Sequence, residues 1–429
     1  MSHRLLKHLA SGLTMAVMLM AAACTADPTV TPSPTLDTPT ATRPPEATST
    51  SAPTGTVAPT ATAEPQSEPV ALYALADADT LQLFSLTTAG ESVDLQQTVY
   101  PGAVASSSGR WIAFPATSPP ANSVTIRDLT TSSVYTVATH ADGTIFGIAF
   151  DQPENRLAIL GLRPPGVEVS HWEILTVALE SGAVARFSGG DFYRDGTILP
   201  GFPIGWTASG QELLINTFLP YSDAGNLGLL AIDLPPGAAE APLDSLPSRV
   251  VLNGDAYLTS PRLSAQGSEL LYLARDPDYT PADYEPIAFD MAVNQLWSVE
   301  AMGEVEPALW LAVDDGSALA SAAAWSPAGD RILFAQGHYA GDAFETLTLK
   351  IHNGSEITHE VGSVPLAEGE HLLNLYWCHE NQALAVTTDA QAQYTLALID
   401  LDDGSSHTVA SASLVSMLGC VAYSASAVP

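Results

Sequence analysis

The strongest constraint on this chain is a hairpin that it writes again and again. "VASSSGRWIAF" (104–114), "AFDQPENRLAIL" (149–160), "GWTASGQELLIN" (205–216), "RLSAQGSELLYL" (262–273), "AWSPAGDRILFA" (324–335) and "YWCHENQALAVT" (376–387) share one design. A short apolar strand runs into four or five polar or turn-forming residues, and a second apolar strand follows at once. Ile112, Leu157, Leu213, Leu270, Ile332 and Leu384 hold one equivalent place and recur 45 to 62 residues apart. That period exceeds most solenoid units and suits propeller blades with loops of variable length.

Downstream of each hairpin comes a third strand with period-two alternation, as in "SVTIRDL" (123–129), "EILTVAL" (173–179) and "YTLALIDL" (394–401). Turn residues then lead to a fourth strand, as in "TTSSVYTVA" (130–138). Four antiparallel strands per unit with almost no helical signal describe a blade. Six units are complete, and the ends carry two parts of another. Residues 70–99 supply a second, third and fourth strand; "MLGCVAYSA" (417–425) supplies a first, with Tyr423 in the place of Trp325 and Trp377. The fold expected is therefore all-β, a seven-bladed β-propeller over 70–429 closed by its N- and C-terminal strands, with six or eight blades as the alternatives. Closure leaves only short, protected strand edges. On this register Trp206, Trp325 and Trp377 are core residues. Cys378 ends one first strand and Cys420 sits about four places earlier in the next, over ~10 Å away at the strand rise, which argues against a disulfide.

"WSPAGDRILF" (325–334) resembles the WD40-like repeat of the TolB propeller family, approximately W-S-P-D-G-x-x-I-x-F; the other copies are degenerate. The resemblance covers most of 70–429. It implies a periplasmic or surface binding module, lipid-anchored in some members, or a companion domain of peptidases. The family's N-terminal α/β domain has no counterpart in these residues, a Thr/Pro tether standing in its place, so a role in an envelope-spanning Tol system is not implied.

That tether and the segment before it set the expected location. His3, Arg4, Lys7 and His8 precede "LTMAVMLMAAA", an apolar run too short to cross a bilayer, and Cys24 follows directly. Residues 1–23 read as a secretory signal. The junction resembles a bacterial lipobox, with Ala21 where Leu is commoner, and implies lipidation of Cys24 and partnership with a membrane through that lipid. Ordinary cleavage after Ala23 is the alternative. Residues 24–69 are nearly all Thr, Pro, Ala and Ser and cannot bury enough surface to offset ordering entropy. Extended as polyproline II, they would reach on the order of 140 Å.

The precursor carries 14 Lys and Arg against 47 Asp and Glu, a formal net charge of −33, and Lys350 is the only lysine beyond the signal. Such a field repels phosphate backbones, so no nucleic-acid partner is expected.

Long loops are where chemistry would sit. The largest, "RDPDYTPADYEPIAFDMAV" (275–293), carries Asp276, Asp278, Tyr279, Asp283, Tyr284, Glu285 and Asp290; "GGDFYRDGTILPG" (189–201) adds Tyr193 and "GHYAGDAFE" (337–345) adds Tyr339. All fall on the face that carries second-to-third and fourth-to-first loops. Tyrosine offers apolar area with a polar tip, so the rim reads as a recognition surface for a protein, peptide or glycan, or as solvated decoration. No cofactor is required, although Asp276, Asp278 and Asp283 would suit Ca²⁺; the spacing is not that of an EF-hand. The alternative is an extracytoplasmic hydrolase or lyase acting on glycan or peptide at the mouth of the central channel. No catalytic residue can be assigned: G-x-S-x-G and H-E-x-x-H are absent, and His140, His171, His338 and His371 are scattered. The first-strand starts "FGIAF", "FPIGW", "ASAAAW" and "LLNLYW" are apolar or small, which favours binding.

Overall fold

The computed structural model describes residues 69–421, less 78–79, 119–120, 140–142, 167–168, 189–198, 219–225, 237–239, 277, 283–291, 303–304, 342, 365 and 367–369. The signal, Cys24, the tether and Tyr423 thus lie outside the described residues. One 3₁₀ turn, Leu243–Ser245, is the only helix among them; the rest of the regular structure is strand.

The strands form a seven-bladed propeller. Blade 1 spans 104–138, blade 2 144–188, blade 5 318–363 and blade 6 371–412, each an antiparallel sheet whose strands follow one another outward. Blades 3 and 4 share one strand, Ser248–Leu263. Its first part pairs as the outer strand of blade 3, and its last part, 258–263, is the inner strand of blade 4. Blade 7 is made from both ends of the chain. Val415–Cys420 is its inner strand, hydrogen-bonded to Pro69–Asp77 with Ala71 opposite Cys420 and Leu75 opposite Val415.

Burial follows position in the blade. The second strand Trp111–Pro115 is buried at every residue because a neighbouring blade covers each face. The outer strand Val134–Ala138 is mostly exposed or half-buried. Seven large apolar clusters fill the seven interfaces, from blades 1–2 (Trp111, Ile148, Leu157) round to blades 7–1 (Leu72, Ile112, Leu418). Each fully buried Leu or Ile among them contributes roughly 1.5–3 kcal/mol. Trp206, Trp325 and Trp377 are buried as expected.

The repeated turn has a physical reason. Ser326 follows Trp325 and its Oγ accepts hydrogen bonds from the Asp330 and Arg331 amides, both at 3.2 Å. Gly109, Gly210, Gly267 and Gly329 then take φ between +65° and +76°, which a side chain resists. A Cβ on Gly267 would also stand 2.8 Å from the Trp206 carbonyl oxygen of the next blade.

Two features depart from the expectation. The third-to-fourth connection of blade 3 crosses to blade 2, where Glu240–Ala241 pairs parallel with its outer strand and Leu243 is buried between the blades. The second is a correction. Cys378 and Cys420 form a disulfide, with their Cα atoms 4.8 Å apart. The closing strand ends at Cys420, which pairs with Ala71 as Trp377 pairs with Ala383. Aligning Tyr423 with the tryptophans slid that strand by three residues, and in the true register the two cysteines stand at nearly one level on adjacent inner strands.

Candidate functional site at the channel mouth

Seven inner strands surround the central channel. In six of them the pairing slips at a similar level: between Ile145 and Gly147, Pro203 and Gly205, Thr259 and Arg262, Leu319 and Ala323, Leu372 and Asn374, and opposite Leu72 and Tyr73 in blade 7. Bulges re-aim side chains, and these do so on the channel wall.

The charge of that wall is the reverse of the molecule's. Among the described residues the seven inner strands carry no Asp, Glu or Lys, and their one Arg is Arg262 in blade 4. Its guanidinium crosses in front of blade 5 and donates from Nη2 to Asn374 Oδ1 in blade 6. Its Cζ also stands 5.8 Å from the centre of the Tyr376 ring. The crossing is open because five of the eight residues in the inner strand of blade 5, Ala318–Trp325, are alanine. Trp325 donates from Nε1 to the Arg262 carbonyl at 3.2 Å and holds the strand beneath. Ser260 Oγ donates to Ser321 O at 2.5 Å in the same wall. Burial pushes the Tyr376 phenol above its ordinary range, and Arg262 opposes that shift. No described carboxylate pairs with Arg262; its net interactions are with an amide and a ring.

Apolar side chains stand at the entrance. Phe202 is 58% exposed and stacks on Phe146 of blade 2 at 5.8 Å, and Leu373 of blade 6 is 36% exposed. Phe202, Ser321 and Leu373 each lie four residues before the inner-strand tryptophan, so they form one tier toward the start of the strands.

The residues singled out from sequence divide three ways. Asp276, Asp278 and Tyr279 form the foot of the 275–293 loop. The Asp276 amide donates to Asn294 Oδ1 at 2.8 Å, the Asp278 amide donates to Asp276 Oδ1 at 3.0 Å, and the Tyr279 hydroxyl donates to Ser317 O. Burial, with Asp315 and Asp314 nearby, raises the Tyr279 pKa. Tyr339 is 7% exposed and stacks on Phe344 at 4.1 Å, in a cluster with Ala292 and Ala318. The second and third strands of blade 5 run on through the supposed loop, Ile332–Ala340 and Ala343–His352, so Tyr339 is a cross-strand partner of Phe344. Tyr193, Asp283, Tyr284, Glu285 and Asp290 lie outside the described residues, and the Ca²⁺ reading, which needs Asp283, falls there with them. Among the described residues no three His, Cys, Asp or Glu side chains converge as a metal site would require.

Arg262, Asn374, Tyr376 and Phe202 were not singled out from the sequence. The signal was present: "TSPRLS" puts a cation on an inner strand, where every other described position is neutral or His. A second concavity, about 710 Å³ between the outer parts of blades 1 and 2, holds charges that satisfy one another. Arg110 pairs there with Asp128 and with Glu180, both at 2.8 Å, and Arg186 with Glu173.

No protein-family profile matches the sequence, and neither does any curated protein. Solved structures do resemble it. An oligogalacturonate lyase in complex with manganese superposes with a TM-score of 0.50 at 13% identity, over 80% of this chain and 85% of that one. A prolyl endopeptidase gives 0.49 at 11% over 81% of this chain, which spans about half (50%) of the endopeptidase's length. TolB from Acinetobacter baumannii gives 0.39 at 12%, over 67% and 62%. At these identities the likeness is one of fold.

Proposed function

We propose that this protein is an extracytoplasmic binding module. Lipidated Cys24 and the 24–69 tether hold the propeller at a membrane or envelope, and the channel-mouth face captures a ligand there. The observation that carries the binding reading is the mouth itself. Exposed Phe202 and Leu373 flank a wall on which Arg262, the one Arg or Lys among the described inner-strand residues, is held by Asn374 and Tyr376 and retains donors for a ligand. The disulfide supports the location, because such bonds form and persist in oxidising compartments.

The test is capture from the organism's own envelope fraction by the full-length protein, beside a variant in which 283–291 is replaced by a short Gly-Ser link. Those residues sit between the Tyr279 foot and blade 4's third strand, so the blade remains intact. Specific captured species should drop at least severalfold with the shortened loop. Equal capture by both proteins would take the loops out of the binding surface.

A further inference from the structure

Resting on that binding reading, we infer that the channel is an end-on receptor for the C-terminal carboxylate of a peptide whose last side chain is apolar. Three observations lead to this ligand. The first is charge. Arg262 is the one Arg or Lys among the described residues of the inner strands, which carry no Asp or Glu, in a strongly acidic protein, and no described carboxylate neutralises it. A single guanidinium matches a single carboxylate, which it can take through two parallel N–H bonds. Asn374 turns its Oδ1 to Arg262, so its amide NH₂ is left to donate to the same anion.

The second is shape. The Arg262–Asn374 hydrogen bond joins blade 4 to blade 6 across the face of blade 5. A guanidinium carried past the alanine-rich strand of blade 5 in this way stands off its own strand on the channel side, where the end of an arriving chain can meet it. The third is the entrance. Phe202, 58% exposed and stacked on Phe146, and Leu373, 36% exposed, stand one tier nearer the loop face than Asn374. They offer an apolar wall to the side chain next to the carboxylate. Repulsion from the acidic surface decays over about 8 Å at physiological salt, whereas the carboxylate would meet Arg262 in direct contact.

The experiment uses full-length protein and a fluorescein-labelled hexapeptide, Gly-Ser-Gly-Ser-Leu-Phe, as the free acid and as the C-terminal amide, with binding read by anisotropy. The acid should bind at least about tenfold tighter than the amide, the scale of one charge-assisted hydrogen bond. Arg262→Met should abolish that preference, and Arg262→Lys should retain part of it. Phe202→Ser should weaken both peptides while preserving the preference for the acid. Unchanged thermal midpoints separate lost recognition from lost fold. Equal binding of acid and amide, a preference that survives Arg262→Met, or no binding of either peptide would overturn the inference. So would tighter binding of a trigalacturonate chain than of the peptide. Envelope capture that persists undiminished with Arg262→Met would leave the module's binding role standing while removing this ligand.

Discussion

Asp151 fills, in blade 2, the turn position that Ser106, Ser264 and Ser326 fill in their blades. Its Oδ1 accepts from the Asn155 and Arg156 amides, both at 2.8 Å, and Arg156 Nε stands 3.5 Å from its Oδ2. At 3% exposed, the carboxylate has a pKa raised above its ordinary 3.8, because desolvation outweighs those bonds. A carboxyl with a higher folded than unfolded pKa holds its proton better when folded. Its contribution is therefore most favourable below the unfolded value and is lost as pH rises through the folded one. Asp151→Ser would keep the turn bonds, as Ser326 shows, and remove the buried charge. Arg156 would not be orphaned, since it also donates to Leu234 O at 2.9 Å and lies over Trp206 at 4.5 Å. Wild type should lose stability relative to the variant as pH rises from about 4 toward neutrality through the raised folded pKa, and the variant should equal or exceed it by up to about 1 kcal/mol at neutral pH. Urea midpoints across that range measure this. A wild type that gained on the variant would mean the ion is net favourable. Single residues were also where the sequence misled most. Trp206, Trp325 and Trp377 follow from periodicity alone, because a repeated bulky residue on an inner strand has only the core to occupy. The stretch 337–345 reads as a rim loop carrying Tyr339, whereas two long strands run through it and Gly341, at φ +78°, lies in the tight turn between them. Arg262 looked like one polar residue in a degenerate repeat; its meaning lies in Asn374, 112 residues away.

Among the elements, the closing strand Val415–Cys420 is the one without covalent support on its far side. Every other inner strand continues through a hairpin into its neighbour, while this one pairs with Pro69–Asp77 across the chain ends. Terminal strands fray unless tied down, and the Cys378–Cys420 bond ties this one to blade 6. Cys378 stands directly after Trp377, where Ser326 follows Trp325, so the clasp replaces a turn-capping serine. The bond closes a loop with a sequence separation of 42, which on chain entropy stabilises by about 2–4 kcal/mol. Cys378→Ser with Cys420→Ser should lower the urea midpoint accordingly, and dithiothreitol should bring wild type to the same value. A midpoint indifferent to reductant would show that strand pairing suffices. The strand itself was legible from "MLGCVAYSA", but its register was not. In a strand covered on both faces apolar or small residues stand at both parities, as Met417 and Val421 do beside Leu418 and Cys420, so alternation does not fix the register; the partner does, here Ala71 opposite Cys420.

At the scale of the whole molecule, head-to-tail pairing has both a benefit and a kinetic cost. Ala71 and Cys420 are 349 positions apart (420 − 71), so the zipper forms only after the other blades have brought the ends together. Once formed, it adds backbone hydrogen bonds to a closure that would otherwise rest on side chains such as Leu72, Ile112 and Leu418 between blades 7 and 1. The seven-blade count was readable because both ends carried complementary parts of one unit. The strand shared by blades 3 and 4 was not, because Asn253, Gly254 and Asp255 spell a turn in a stretch that stays extended. A circular permutant separates the two consequences of closure. The Val421 amide donates to Val70 O at 2.9 Å, so about four residues would join Val421 to Pro69 as an ordinary first turn. New ends would open between Pro101 and Gly102, in the turn before blade 1. Every strand pair within a blade would then be local, and the toroid would close by packing between blades 7 and 1 without a strand zipper. Such a chain should refold faster than wild type, because its slowest pairing has become a hairpin. It should also unfold faster and at lower urea, because no strand pairing spans its ends, only the turn bond from the Ala103 amide to Tyr100 O. Stopped-flow refolding and unfolding limbs read the two rates separately. A permutant that refolds no faster would place the rate-limiting step inside a blade, and one that unfolds no faster would show that apolar packing between blades 7 and 1 already holds the toroid shut.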